Sequence, residues 1–205
     1  MKTSIRAAIA VATLTLGISG AAQAAVVFDL SPTNGTTYRS SDFGPGQGVA
    51  VSQNTTVTDF AFYANMPSGG DARFMIWNGD NSSLLFSQTV NSIAASGSQS
   101  WIDSGPMSFS LAAGNTYYFG LIADSSINIG HIYPTVPYSA NGLTALIDGN
   151  SNYNDFTTPY SSGNASAEIG LQISAVPLPG AMTMFGAALA GLGLLGARSR
   201  KRVSA

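Results

Sequence analysis

From Asp148 to Asp155 the chain reads Asp-Gly-Asn-Ser-Asn-Tyr-Asn-Asp. Asp148, Asn150, Asn152 and Asp155 offer hard oxygens, the kind calcium takes in sets of six to eight. The same oxygens suit sugar hydroxyls, and Tyr153 among them offers a flat face for stacking a pyranose ring. The EF-hand pattern fails: Gly149 is misplaced, and Pro159 stands where the bidentate glutamate belongs. Asn and Asp also recur in loops simply because they tolerate turn geometry. Tyr133, Tyr138 and Tyr160 lie in the same region, either as a sugar platform or as pins holding loops to the body. No metal is assigned to these residues; calcium is the candidate.

Other chemistry is poorly supplied. His131 is the only histidine and Glu168 the only glutamate. A multi-histidine zinc site is therefore excluded within one chain. A Ser-His-Asp arrangement would have one base, and no Gly-x-Ser-x-Gly elbow is present. There is no cysteine, which removes thiol catalysis and thiolate metal sites. Asp29, Asp42, Asp59, Asp71, Asp80 and Asp103 mostly abut turns or strand ends, where Asp serves the backbone. Gly44-Pro45-Gly46-Gln47-Gly48 lacks the Lys-Ser/Thr and the helix of a phosphate cradle, and reads as a flexible loop entering a strand at Val49. No residue is assigned to catalysis.

The elements that must position these groups are strands. Phe60, Phe62, Ala64 and Met66 share one face, with Asp59, Tyr63 and Asn65 opposite. Met107, Phe109 and Leu111 alternate with serines; Tyr117, Phe119, Leu121 and Ala123 alternate again, as do Ile169, Leu171 and Ile173. Phe74 to Trp77 is continuously apolar, as in a central strand, and Trp77 and Trp101 are expected in the core. Turn signals separate the runs: Pro67–Gly70, Asn78–Asn81, Ala113–Asn115 and Asp148–Asn150. The pattern predicts an all-β domain over residues 25–175, an antiparallel β-sandwich of jelly-roll type. Asn128 to Tyr160, the stretch with least alternation, is expected to form long loops.

Both ends read as targeting segments. Lys2 and Arg6 precede an apolar stretch from Ala7 to Ile18, and Ala22-Gln23-Ala24 fits signal peptidase, so residues 1–24 are a signal peptide. Residues 176–205 begin with Val176, Pro177, Leu178 and Pro179, whose prolines hold the chain extended and out of ladders. Uncharged Ala181 to Ala197 follows, about 25 Å as a transmembrane helix at ~1.5 Å per residue. Arg198, Arg200, Lys201 and Arg202 then form a basic stop that stays cytoplasmic and leaves the body outside. This order of Pro motif, apolar span and basic end resembles the PEP-CTERM sorting signal in its Val-Pro-Leu-Pro variant, and covers only that tail. The resemblance implies a Gram-negative bacterium, an exosortase-type membrane protease as partner, and a membrane-anchored precursor that passes to the cell surface or extracellular matrix.

Charge narrows the partners further. Six of the eight basic residues lie in the two ends and all ten acids lie between them. The body thus carries a net charge of −8, with Arg39 and Arg73 its only cations. Such a surface repels nucleic-acid phosphates. Poverty in His, Glu and Lys points to a non-catalytic surface or matrix protein that binds polysaccharide, because acid–base chemistry draws on those residues. The alternative is an exported glycan-active hydrolase, which needs two facing carboxylates.

Overall fold

A computed structural model describes residues 24–31, 36–39, 42–132, 138–165 and 168–176. Residues 1–23 of the signal peptide, Pro177 to Pro179, the span 181–197, the basic stop and Tyr133 all lie outside the described residues.

Among the described residues there is no helix. The strands are β1 (Ala25–Leu30), β2 (Thr36–Arg39), β3 (Phe43–Val51), β4 (Thr55–Asn65) and β5 (Gly70–Asn78). They continue with β6 (Leu84–Ile93), β7 (Ser100–Asp103), β8 (Phe109–Leu111), β9 (Thr116–Ala123) and β10 (Ile127–Ile132). The last are β11 (Ser139–Ala140), β12 (Leu143–Asn154), β13 (Tyr160–Ala165), β14 (Glu168–Ile169) and β15 (Leu171–Val176). The first sheet runs β1-β15-β4-β10-β14, with β2 beside β10 and with β7 and β8 beside β4. The second runs β11-β12-β3-β9-β5-β6, with β13 beside β12. Every described pairing is antiparallel, and the two sheets form a sandwich.

The alternating residues fill the space between the sheets. Phe60, Phe62, Ala64, Leu171 and Ile173 enter it from the first sheet, and Val49, Phe74, Ile76, Phe119 and Leu121 from the second. Phe60 is the crossing point. Its ring meets Phe74 at 5.5 Å and Phe119 at 5.1 Å, both edge-to-face. Such pairs add about 0.5–1.5 kcal/mol each beyond the area they bury. The continuous run Phe74–Trp77 is explained by β5 lying between β9 and β6 with both faces covered.

Three expectations are corrected. Residues 128–160 are not long loops; they carry β10 to β13. Asn141 (φ 48°) and Gly142 (φ 79°) make the tight turn between β11 and β12, where positive φ at both positions suits Asn-Gly. Asp148–Asn150, expected as a turn, lies inside β12, because pairing to β3 and β13 overrides the weak strand preference of Asn and Gly. Gly44–Gly48 is not a flexible loop. It is the buried first half of β3, between β12 and β9. Gly44 and Gly46 have no side chain because backbone and a tyrosine ring lie where one would go.

Replacing Phe60 with Ala should cost about 3–5 kcal/mol in urea unfolding, the usual range for a core phenylalanine. A loss under about 1 kcal/mol would show that its ring contacts do not hold the sheets together.

Candidate functional site

The segment marked by sequence is placed very differently from a loop site. Tyr153 is 0 % exposed and stacks on Trp77 at 5.4 Å and 12°. Its hydroxyl donates to Asn81 Oδ1 at 3.1 Å, and burial pushes its pKa well up. Met75 and Ile122 complete this second small core, against which Tyr118 and Phe156 pack. A ring buried in this way is not a stacking face for a sugar. Asp155 is exposed, but its Oδ1 accepts from Thr157 Oγ1 at 2.7 Å, Thr157 N at 3.0 Å and Thr158 N at 3.3 Å. These bonds, the Thr157 hydroxyl first, hold its pKa down. The carboxylate closes a turn. Asn152 is half-buried opposite Pro45, and Asn150 pairs with Gln47; the side chains of Asp148 and Asn150 lie outside the described residues. Among the described residues no group of three or more His, Asp or Glu side chains could hold a metal ion. Tyr138 packs edge-to-face on Phe28 at 5.0 Å as a pin on the core, whereas Tyr160 is exposed. His131 is buried where β10 pairs with β14.

Functional groups gather instead on the outward face of the first sheet. Alternation along β4 turns Phe60 and Phe62 inward and Asp59, Ala61 and Tyr63 outward. Alternation along β7 turns Ile102 toward the core and Trp101 and Asp103 outward. Tyr63 lies opposite Trp101, their rings 5.3 Å apart at 67°. Both rings are half-buried. Trp101, expected in the core, is thus corrected to the outer face. Asp29, Gln172, Ala61 and Asp103 lie in register across four neighbouring strands. Gln172 Nε2 donates to Asp29 Oδ2 at 3.0 Å, which confirms that these two share the face.

Two carboxyls meet beside the aromatic pair. Asp103 Oδ1 accepts from the N–H of Gly105, which adopts φ 76° to close the turn after β7. Asp59 stands on the same face, two residues before the Ala61 that pairs with Asp103, and is thus the diagonal neighbour of Asp103 across β4 and β7. Partial desolvation of a carboxyl that stays largely exposed, and after it the neighbouring Asp59, push the Asp103 pKa up against the opposing Gly105 bond. The serving of backbone by Asp, expected from sequence, holds at Asp42, Asp71 and Asp80 as well. At Asp103 it accounts for one oxygen only. The sequence signal for this face was available: Tyr63 was already on the polar side of β4, and one inward Ile102 makes its two neighbours outward.

No known family profile and no curated protein matches the chain. Among solved structures it is similar to the cysteine protease and lectin-like domains of Cwp84, a surface layer associated protein of Clostridium difficile. The TM-score is 0.40 at 12 % identity, over 72 % of this chain and 37 % of that one. It is also similar to a family 35 carbohydrate binding module from an environmental isolate, with TM-score 0.34 at 16 % identity, over 62 % of this chain and 94 % of that one. Overlaps of this size carry no argument about ligand or activity.

The Asp59–Asp103 pair has a consequence for stability. A raised folded pKa means that the native state keeps its proton to higher pH than the unfolded chain does. The favourable contribution is complete below the ordinary carboxyl range and is lost as pH rises through the raised value. Asp103→Asn keeps an acceptor for the Gly105 N–H and removes the charge. It should raise stability at pH 7 by at most about 1 kcal/mol, solvent screening included, and match the parent near pH 3. Thermal melts from pH 3 to 8 check this; a variant less stable at pH 7 would contradict it.

Proposed function

We propose that this chain is an exported, non-catalytic protein of the cell surface or extracellular matrix, binding polysaccharide on a jelly-roll-type body. An exosortase-type protease of a Gram-negative bacterium sorts it from a membrane-anchored precursor. The sorting reading rests on the sequence of the tail. The binding reading rests on the half-exposed Tyr63–Trp101 pair set among side-chain oxygens on a rigid sheet face. Aromatic faces take the apolar side of a sugar ring, and the flanking carboxyls and amides take its hydroxyls.

The hydrolase alternative meets its candidate in Asp59 and Asp103. Retaining glycosidases hold their carboxyls about 5 Å apart and inverting ones farther. Diagonal neighbours on one flat sheet face do not oppose each other across a substrate, as a glycosidase pair must. They also sit on an open sheet face, Asp103 exposed, where water is not excluded.

Two measurements test the proposal. Protein recovered from the native cell surface should begin at Ala25 and end near the Pro motif by intact mass. A species still ending at Ala205 would remove the cleavage claim. On a glycan array, with and without calcium, the chain should bind without cleaving. Trp101→Ala should weaken binding about tenfold, the scale of one stacked ring. Turnover of any bound glycan would favour the hydrolase.

A further inference from the structure

We propose that the outward face of the first sheet selects a polysaccharide whose sugars carry free, protonated amines. Pyranose rings lie on Tyr63 and Trp101, and ammonium groups pair with Asp59 and Asp103. This rests on the reading of that face as a polysaccharide platform and names the class of polymer it takes.

Charge carries the argument. The face presents Asp29, Asp59 and Asp103, the last two as diagonal neighbours across β4 and β7. The cations of the body lie elsewhere. Arg73 belongs to the second sheet, where its guanidinium donates to Phe156 O, Thr157 O and Ser87 Oγ. Arg39 is on β2, separated from β4 by β10. The close carboxyl pair therefore repels itself once both members ionise. An ammonium group between them offers three donors and a full positive charge. An acidic polysaccharide would instead bring like charge to a body that already carries −8. An N-acetylated sugar keeps one amide N–H but adds a carbonyl in need of a donor. The Gln172 amide of this face already donates to Asp29, and carboxylates at Asp59 and Asp103 only accept, so they offer such a carbonyl nothing.

The layout fits. Trp101 and Asp103 are two residues apart on β7 and point the same way, roughly 7 Å along the strand. That is about one sugar ring. A ring resting on Trp101 thus places a substituent of its neighbour at the carboxyls. Ala61, opposite Asp103 on β4, is buried and raises nothing above the face that would obstruct a flat ligand.

The test uses the full-length chain in mild detergent at low salt and pH 6. Calorimetric titration compares fully deacetylated glucosamine hexamer, N-acetylglucosamine hexamer, a glucuronate-containing hexamer and hexalysine. The deacetylated hexamer should bind at least tenfold more tightly than the acetylated one, and the acidic hexamer and hexalysine should bind more weakly still. Asp59→Asn with Asp103→Asn should erase the preference for the amine while leaving weak, Trp101-dependent sugar binding. Equal affinity for the amino and acetylated hexamers, or tighter binding of the acidic one, with Trp101→Ala still weakening it, overturns this inference and leaves the platform standing. Hexalysine binding as tightly as the amino sugar also overturns it, as does an amine preference that survives the double substitution. Binding of no hexasaccharide overturns the platform and the inference together.

Discussion

Tyr153 lies over two glycines that face each other across β3 and β9. A Cβ on Gly46 would stand 2.4 Å from its ring, and one on Gly120 would stand 2.5 Å from the same edge. Gly46 pairs with Gly120, so the two bare positions form one floor. The ring reaches across that floor from β12 to stack on Trp77 of β5. One side chain thus spans four neighbouring strands of the second sheet. Glycine in a strand interior costs entropy and packs nothing by itself. Here the missing side chains make room for a ring that closes the outer surface. The second sheet becomes dry on both faces around this point, and half-exposed aromatic and carboxyl groups collect on the outward face of the first.

A second constraint ties the sheets where their ladders fail. Gln47 is 0 % exposed and follows Gly46 in β3. Its Nε2 donates to Leu146 O and Gly48 O, each at 3.1 Å. Its Oε1 accepts from Ile169 N of β14 at 3.2 Å. The register between β3 and β12 slips between Ala145 and Asn150. There the strand's own partners cannot serve Leu146, and the Gln47 amide supplies the donor. Removing the amide would leave a buried carbonyl and a buried N–H unsatisfied, each costing about 1–3 kcal/mol. A buried polar residue in a β core thus replaces lost ladder bonds and joins one sheet to the other.

Much of the fold was legible because period-two alternation is a direct print of burial. Phe60, Phe62, Phe119, Leu121, Leu171 and Ile173 all face the core as their spacing requires. The turn signals at Pro67–Gly70, Asn78–Asn81 and Ala113–Asn115 also mark junctions between strands, with Gly70 and Asn78 as the end residues of β5. What escaped was structure held by distant partners. Residues 143–154 look like a loop because Asn, Asp and Gly disfavour strands. Their pairing depends on β3, about a hundred positions earlier, and local composition does not record it. Asn141-Gly142 was the one local clue to a hairpin there. The candidate site escaped for a related reason. Tyr63 and Trp101 are far apart in sequence, and only the β4–β7 register makes them a pair. Tyr153 misled in the opposite direction, because neighbours rich in oxygen suggest exposure while its ring packs on two glycines.

Asp59 and Asp103 place two acids at neighbouring positions of one sheet face. Asp103 closes the turn at Gly105, but an asparagine would accept that same N–H without a charge. Asp59 accepts from the Thr58 hydroxyl at 3.3 Å, a bond an amide oxygen could also take. Neither local duty requires a carboxylate, and together the two carboxyls oppose each other. Departures from locally consistent design gather at functional sites, where a strained arrangement serves a ligand. Asp103 stands two residues from Trp101 and Asp59 four from Tyr63, on a face whose opposite side is anchored by Phe60 and Phe62. A rigid core beneath and unbalanced charge above are the conditions under which a sheet face can discriminate ligands by charge without moving.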